Sequence, residues 1–351
     1  MTFDSAQAED ALQRLKASLA EARRDATPLR IAGGNSKSDW WRTSASRAFP
    51  VEDYRGIVRY EPSELVVTAR AGTPLLELEP LLASHGQCLA AEPPILSPAS
   101  TVGGAVAAGL SGPGRPWRGA LRDHVLGVKL LAVNGEVLRF GGEVMKNVAG
   151  YDVSRLCTGA WGRLGPLLEI SLRVAPVPAC SVTAVWQADE IEAQRRMTEM
   201  RRAPLPLSGC LHLDGLLRVR LSGAPAAVTA ALDVLLPEHI DEDETSWTQW
   251  RNHQHPFFLQ PGRIWRVSVP PATPPLGDFG KHATDWMGGV RWYRLEGDGT
   301  ALAEAAAAHG GFCRPWRHPG FSAGESGATG LLEQRVTASF NPARLFNPGI
   351  D

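Results

Sequence analysis

The sequence predicts an α+β protein whose first part is built around glycine-rich loops and whose second part is a smaller α+β domain. Three observations carry this reading. Apolar, β-branched runs alternate with helix-like segments. Glycine concentrates between Gly33 and Gly165 and almost vanishes over residues 179–210. Pro176 and Pro178 close the glycine-rich part and mark a boundary near 175–180.

Composition narrows the function. With 351 residues, 44% of them hydrophobic and 21% charged, the chain can bury a sizeable core in two domains. Its 36 basic and 37 acidic residues nearly cancel and form no basic block, which argues against a nucleic-acid partner. The start carries Asp4, Glu9 and Asp10 rather than a basic stretch followed by an apolar run, so it does not read as a signal peptide. No run approaches the roughly 18–20 apolar residues that span a bilayer. The expected location is cytoplasmic, with peripheral attachment to the inner membrane left to partners. Cys88, Cys157, Cys180, Cys210 and Cys313 form no C-x-x-C pair and read as small packing residues. Any iron–sulfur cluster must then sit on another chain.

Leu12, Leu15 and Leu19 predict an amphipathic helix within residues 1–25. Leu29-Arg30-Ile31 reads as a short strand running into Gly33-Gly34, and the stretch from Leu65 to Ala69 as a second strand. Thr73 can cap a following helix with Pro74 at its first position, Pro80 shortening it and Gly86 ending it. Asn134-Gly135 between two strand-like runs predicts a two-residue hairpin. Beyond the boundary, Asp214-Gly215 predicts another hairpin, followed by a helix over residues 226–235. Strands over 264–269 and 290–295 and a helix over 301–308 complete the second domain. The turn-rich end around Asn341-Pro342 and Asn347-Pro348 carries aromatics that should pack back onto the body.

Five glycine segments lie within the first domain. Gly33-Gly34-Asn35-Ser36 can point backbone N–H groups into one concavity suited to a phosphate, or can be a plain turn. It matches neither a P-loop nor a dinucleotide fingerprint. The segment from Pro98 through Thr101, Val102, Gly103 and Gly104 admits a flat ligand, or is a tight helix start capped by Thr101. Gly119 to Gly127, Gly141 to Asp152 and Gly159 to Gly165 each read as turn chemistry alone. Together, an extended ligand threaded among several loops explains them better than chance.

The order of these motifs resembles the PCMH-type FAD-binding domain of the vanillyl-alcohol-oxidase family. Members oxidising 2-hydroxyacids share a G-G-N-[ST] loop, a V-L-G element and K-N-x-x-G-Y-D-x-x-x-L, here Gly33 to Ser36, Val125 to Gly127 and Lys146 to Leu156. The stretch from Phe140 to Asp152, Arg115-Pro116-Trp117, Pro256-Phe257-Phe258 and Phe346-Asn347-Pro348-Gly349 make it most similar to the FAD-binding subunits of glycolate oxidases. The resemblance implies a PCMH-type FAD-binding domain of two α+β subdomains over 26–178 and a small α+β cap domain over 179–325. An N-terminal helix over 1–25 would precede them, and a segment over 326–351 would return to the FAD domain.

The resemblance also implies a cofactor and its holders. Gly33, Gly34, Asn35 and Ser36 would bind the pyrophosphate of a noncovalent FAD, since the loop lacks the histidine that links flavin in some members. Pro98, Thr101, Val102, Gly103 and Gly104 would line it, with Gly119 and Ala120 nearby. Gly162, Gly165 and the backbone at Leu168 would border the adenine side, and Asn347 the isoalloxazine. Arg163 departs from the small or neutral residue usual at its position and would either meet a phosphate or face solvent.

Oxidising a 2-hydroxyacid needs a base and a cation for the carboxylate. Self-sufficient relatives supply the base and a metal site from H-x-G-D-G-N-x-H. The nearest string here, Leu295-Glu296-Gly297-Asp298-Gly299-Thr300, has neither histidine, so catalytic residues are unassigned and no metal is expected. His253-Gln254-His255 could chelate a metal on a strand, but reads better as a loop. Arg263, Arg266, Arg291 and Arg294 are candidate carboxylate cations, each more readily a surface residue. The reading is an FAD-binding subunit of a glycolate oxidase, partnered by a catalytic flavoprotein subunit and an iron–sulfur subunit. The alternatives are a self-sufficient FAD-dependent 2-hydroxyacid dehydrogenase and a flavin-free structural subunit.

Overall fold

The computed structural model describes residues 5–40, 43–45, 47–142, 152–317 and 327–350. Trp41 and the signature residues Lys146 to Tyr151 lie outside them. The chain divides into two compact units. The first comprises residues 1–111, 120–176 and 322–351, and the second residues 112–119 and 177–321.

The first unit opens with helix α1 (Ser5–Arg24). Its buried face is Ala8, Ala11, Leu15, Leu19 and Ala22, a spacing of three and four that winds one stripe inward. That stripe packs on Leu29 of β1 (Leu29–Ala32), Phe49 of β2 (Arg47–Pro50) and Phe346 of the C-terminal segment. Strands β1 and β2 pair in parallel. On its other edge, Leu29 donates its N–H to the Leu345 carbonyl at 2.7 Å and accepts from Asn347 N–H at 2.8 Å.

Next come β3 (Ile57–Glu61), β4 (Val66–Arg70), helix α2 (Leu75–Ala83), β5 (Gln87–Cys88) and helix α3 (Val102–Ala108). The short helix α4 (Arg115–Arg118) belongs to the second unit. Strands β6 (Val125–Leu131) and β7 (Val137–Gly141), helix α5 (Val153–Cys157) and strands β8 (Leu167–Arg173) and β9 (Ala175–Pro176) follow. They form a five-stranded antiparallel sheet in the order β3-β4-β8-β6-β7. Leu75, Leu78 and Leu82 of α2 and Val102 and Val106 of α3 bury against its Val67, Val128, Ile170 and Leu172.

Two local expectations are corrected here. The Asn134-Gly135 turn is not a two-residue loop: the ladder ends at Leu131↔Val137 and closes further through Ala132 N–H to the Glu136 carbonyl. Asn134 Oδ1 accepts from Glu136 N–H at 3.0 Å while Gly135 takes φ +89°, so the asparagine spends its side chain inside a wider turn. Thr73 does not cap α2. Its hydroxyl accepts from Gly56 N–H at 2.9 Å and donates to the Gly56 carbonyl, tying two loops together. Helix α2 runs through Pro80 and stops three residues later, with Gly86 at φ +65° beyond it.

The second unit continues with β10 (Cys180–Gln187), α6 (Glu190–Met200), β11 (Leu207–Leu213), β12 (Leu216–Gly223), α7 (Pro225–Leu235) and β13 (His239–Asp241). Helices α8 (Thr245–Arg251) and α9 (Pro256–Leu259) precede β14 (Arg263–Ser268), β15 (His282–Asp285), β16 (Val290–Leu295), α10 (Thr300–Ala308) and β17 (Phe312–Trp316). All eight strands form one antiparallel sheet, β13-β10-β12-β11-β15-β16-β14-β17. The Asp214-Gly215 turn is the tight hairpin expected, with both residues at positive φ between Leu213 and Leu216. Trp186, Met197, Leu217 and Val228 fill one part of the core, and Trp265, Val267, Tyr293 and Leu302 another. Helix α11 (Gly327–Phe340) belongs to the first unit. No helix among the described residues is long and apolar enough to cross a membrane.

The surface reading of the arginines fails at two positions. Arg291 is 1% exposed and donates to the carbonyls of Thr273 and Pro274. Arg266 lies over tryptophan rings contributed by neighbouring strands, which a strand's own alternation cannot reveal.

Candidate cofactor site

In the first unit, a cleft opens where the first, second and fifth glycine segments converge. Its floor requires the absence of side chains. A Cβ on Gly34 would lie 1.5 Å from the Ala99 carbonyl oxygen, and one on Gly103 would lie 2.7 Å from Ala71 Cβ. Gly33 abuts Thr101 Oγ1, which caps α3 by accepting from Gly104 N–H at 3.0 Å. The cap and the close approach are therefore both realised by one segment.

Gly162 closes another wall. At φ +74° its hypothetical Cβ would meet Asn347 Nδ2 at 2.6 Å. Asn347 is 4% exposed, accepts from Ile31 N–H at 2.8 Å and donates to the Trp161 carbonyl at 2.8 Å. It thereby holds β1 against the 161–162 turn. Asn341 ties the tail to Arg163, donating to the carbonyls of Arg163 and Phe346 and accepting from Leu345 N–H.

The cleft carries positive charge. Lys37 and Arg30 line it, and among the described residues no aspartate or glutamate does. Lys37 Nζ reaches Ser36 Oγ at 3.4 Å, and desolvation pushes its pKa down to about 8. Arg30 donates to Asn35 Oδ1 at 3.2 Å. Two cations beside the glycine loop and apolar walls from Val51, Ala71, Trp161 and Leu167 make an arrangement suited to a ligand with an anionic middle and flat ends.

Of the residues picked out in the sequence, the cleft gathers Gly33, Gly34, Asn35, Ser36, Thr101, Gly103, Gly104, Gly162, Gly165 and Asn347. The other five do not line it. Pro98 is exposed, Val102 is buried with its N–H on the Thr73 carbonyl, and Ala120 gives its N–H to Asp123 Oδ2. Leu168 is buried and accepts from Ala71 N–H, while Gly119 belongs to the second unit. Lys37 and Trp161 were missed, although Lys37 directly follows the first glycine loop. Arg163 takes neither expected role: it donates to the Ala160 carbonyl and lies 3.7 Å from Glu333.

The absent H-x-G-D-G-N-x-H motif also has a structural counterpart. Gly299, in the left-handed region, precedes the first turn of α10, and Asp298 Oδ1 accepts from Thr300 N–H at 3.0 Å. The string is a helix start. His253 stacks on Phe258 at 4.4 Å, and His255 Nδ1 caps α9 by accepting from Phe257 N–H.

A family model described as an FAD binding domain matches residues 9–141. Over 346 residues, 97% of each chain, the sequence is 41% identical to "Glycolate oxidase subunit GlcE" of Escherichia coli K12. It is 34% identical over 122 residues to the mitochondrial cytochrome-type D-lactate dehydrogenase of Arabidopsis thaliana, covering 35% of this chain and 21% of that one. Over 137 residues it is 30% identical to "Glycolate oxidase subunit GlcD" of Bacillus subtilis, covering 39% and 29%. An alkyldihydroxyacetonephosphate synthase structure superposes with a TM-score of 0.68 at 14% identity, covering 96% of this chain and 74% of that one, which places the fold in the PCMH-type α+β class. The full-length identity shows that the chain belongs to the glycolate oxidase subunit GlcE family of FAD-binding proteins.

Proposed function

We propose that this chain is the FAD-holding subunit of a multi-subunit glycolate oxidase, serving the oxidation of glycolate to glyoxylate. The substrate chemistry resides on a partner flavoprotein subunit, and an iron–sulfur subunit carries electrons onward. The observation that carries the reading is full-length similarity to a protein named as a glycolate oxidase subunit. The cleft fits the cofactor: Gly34 and Gly103 leave a floor no side chain could share, and two cations face it with no carboxylate among the described lining residues. FAD, when bound, supplies the acceptor for a hydride.

In this reading Gly33, Gly34, Asn35 and Ser36 hold the pyrophosphate through backbone and side-chain donors, and Lys37 neutralises it. Thr101, Gly103 and Gly104 form the floor, Gly162 and Gly165 border the adenine, and Asn347 fixes the wall between them. Val102, Ala120 and Leu168 act from behind as shape. Binding is noncovalent because Asn35-Ser36 stands where a linking histidine would be needed. The chain works in the cytoplasm, attached to the inner membrane only through the complex. The Asp298-Gly299-Thr300 helix start supports placing the substrate chemistry elsewhere.

An anaerobic visible spectrum of the purified chain, before and after glycolate, tests the reading. A flavin band unchanged by glycolate is expected. Bleaching by glycolate would make the chain a self-sufficient dehydrogenase, and a missing band would make it a flavin-free structural subunit.

A further inference from the structure

One edge of the second unit's sheet carries features that the functional reading leaves unused. Strand β13 ends the sheet and pairs with β10 alone, so among the described residues no strand bonds its outer edge. Ile240 of β13, 42% exposed, stands opposite Ala184, which is buried with Val228 and Ala231 of α7. Cross-strand partners share a face, so Ile240 lies on the α7 side of the sheet. At the end of that helix Val234 and Leu236 are 74% and 76% exposed.

The turn that presents Leu236 is fixed through its backbone. Leu236 caps α7 in the left-handed region at φ 46°, a conformation usually left to glycine. Its N–H donates to the Leu232 carbonyl, and its carbonyl accepts from the Nε1–H of the buried Trp186 at 3.3 Å. Two residues on, Glu238 N–H donates to the Val185 carbonyl at 3.1 Å. The leucine side chain is left to solvent.

The charge around it has one sign. Residues 221–250 carry six carboxylates and no lysine or arginine, in a chain whose charges otherwise nearly cancel. Glu244 meets Arg220 at 3.3 Å. Asp241 and Asp243 shape the turn into α8, accepting from the N–H groups of Asp243 and Thr245. Asp233 and Glu242 are exposed and pair with no cation among the described residues. Charge on an edge strand guards it against aggregation, which accounts for the carboxylates alone. It does not account for Val234 and Leu236, because clustered apolar side chains rimmed by charge mark protein contacts. A second copy of the chain fits badly, since it would bring the same carboxylates to the edge. A basic strand fits every feature: its backbone completes the sheet, its apolar residues cover the leucine and isoleucine, and its cations meet the rim.

We propose that the β13 edge, with Val234, Leu236 and Ile240, docks a strand of a partner subunit in which lysine or arginine alternates with apolar residues. The inference deepens the functional reading and rests on it only for the source of that strand, another subunit of the same assembly.

Amide hydrogen exchange is followed in the full chain alone and in the chain assembled with the catalytic flavoprotein and iron–sulfur subunits. Assembly should slow exchange over residues 238–242 by about tenfold or more. The double variant Asp233→Lys with Glu242→Lys changes two exposed side chains and should keep the native melting midpoint and flavin content. Its association with the other subunits should weaken about tenfold or more, and that of the native chain should weaken as salt is raised. Leu236→Asp should weaken association at every salt concentration. An assembly with no added protection over 238–242, or native affinity in the folded double variant, would overturn the inference while the functional reading stands. Protection gained by the chain alone as it self-associates would make the occupant a second copy and overturn it too. A chain that joins neither subunit would overturn both readings.

Discussion

Asn347 and Ile31, 316 positions apart, meet in a 2.8 Å hydrogen bond from the Ile31 N–H to the asparagine Oδ1. The Nδ2 of the same side chain satisfies the Trp161 carbonyl, so one amide joins the tail, β1 and the 161–162 turn. Replacing it leaves a donor and an acceptor unpaired in a poorly hydrated place. Asn347→Ala should cost about 2–4 kcal/mol and lower flavin retention. Urea unfolding with an unchanged slope and a lower midpoint would register it.

Gly34→Ala asks for space that does not exist, because the new Cβ would sit 1.5 Å from the Ala99 carbonyl oxygen. The loop must move, at about 1–3 kcal/mol for an overpacked site. The expected outcome is a folded chain that purifies with little flavin, measured as FAD per protein. Normal FAD content would mean that the two loops part without consequence for the cleft.

Lys37 makes the cleft sensitive to pH. Its pKa, lowered to about 8, means the charged form is disfavoured in the folded, flavin-free chain. The unfolded chain then holds its proton longer, so flavin-free stability rises as pH climbs from about 8 toward the ordinary lysine value of 10.5. Affinity for an anionic ligand moves oppositely, falling as pH rises through about 8. Fluorescence titrations with FAD across this range should show the fall in the native chain and its absence in Lys37→Met. That variant should bind about tenfold more weakly at neutral pH.

His282 and Glu190 form a second titrating pair, 3.3 Å apart in the second unit. Their hydrogen bond holds His282 above its ordinary value of 6.5 and Glu190 below 4.5. The histidine's contribution is complete below 6.5 and is lost as pH rises through its raised pKa. The carboxylate's is complete above 4.5 and is lost as pH falls through its lowered one. His282→Gln should therefore cost stability, about 1 kcal/mol at most, in weakly acidic buffer and less in alkaline buffer. Melting curves at the two conditions decide it.

Asp298→Ala separates a helix start from a chemical site. Asp298 accepts from Thr300 N–H and is solvent-exposed, so the variant should melt slightly lower. Glycolate activity of the reconstituted complex should stay at the native level. Loss of activity in a folded Asp298→Ala chain would return that string to the catalytic machinery.

What could be read from the sequence was what local chemistry decides. The Asp214-Gly215 hairpin, the α10 helix and the short strand before Gly33 all follow from neighbours along the chain. The same dipeptide logic failed at Asn134-Gly135, where Glu136 competes for the asparagine side chain and widens the turn. Distant partners decided the other errors. Thr73 turned to Gly56, Arg163 to Glu333 and Arg266 to rings on other strands. The glycine segments were legible as a set because only a bound ligand or a close backbone explains so many. The cradling of β1 by Asn347 was not, since its partners lie at the far end of the chain.

The tail that flanks β1 also sets a timetable for biosynthesis. Leu29 leaves the ribosome early but gains its partners Leu345 and Asn347 only after some three hundred further residues have been made. Residues 177–321 can collapse on their own sheet during the wait, while the flavin unit keeps an unpaired strand edge exposed. The cleft wall that Asn347 holds cannot form before that residue has been made. Premature termination before residue 345 would leave that bare edge as a mark by which proteases and chaperones recognise an unfinished subunit.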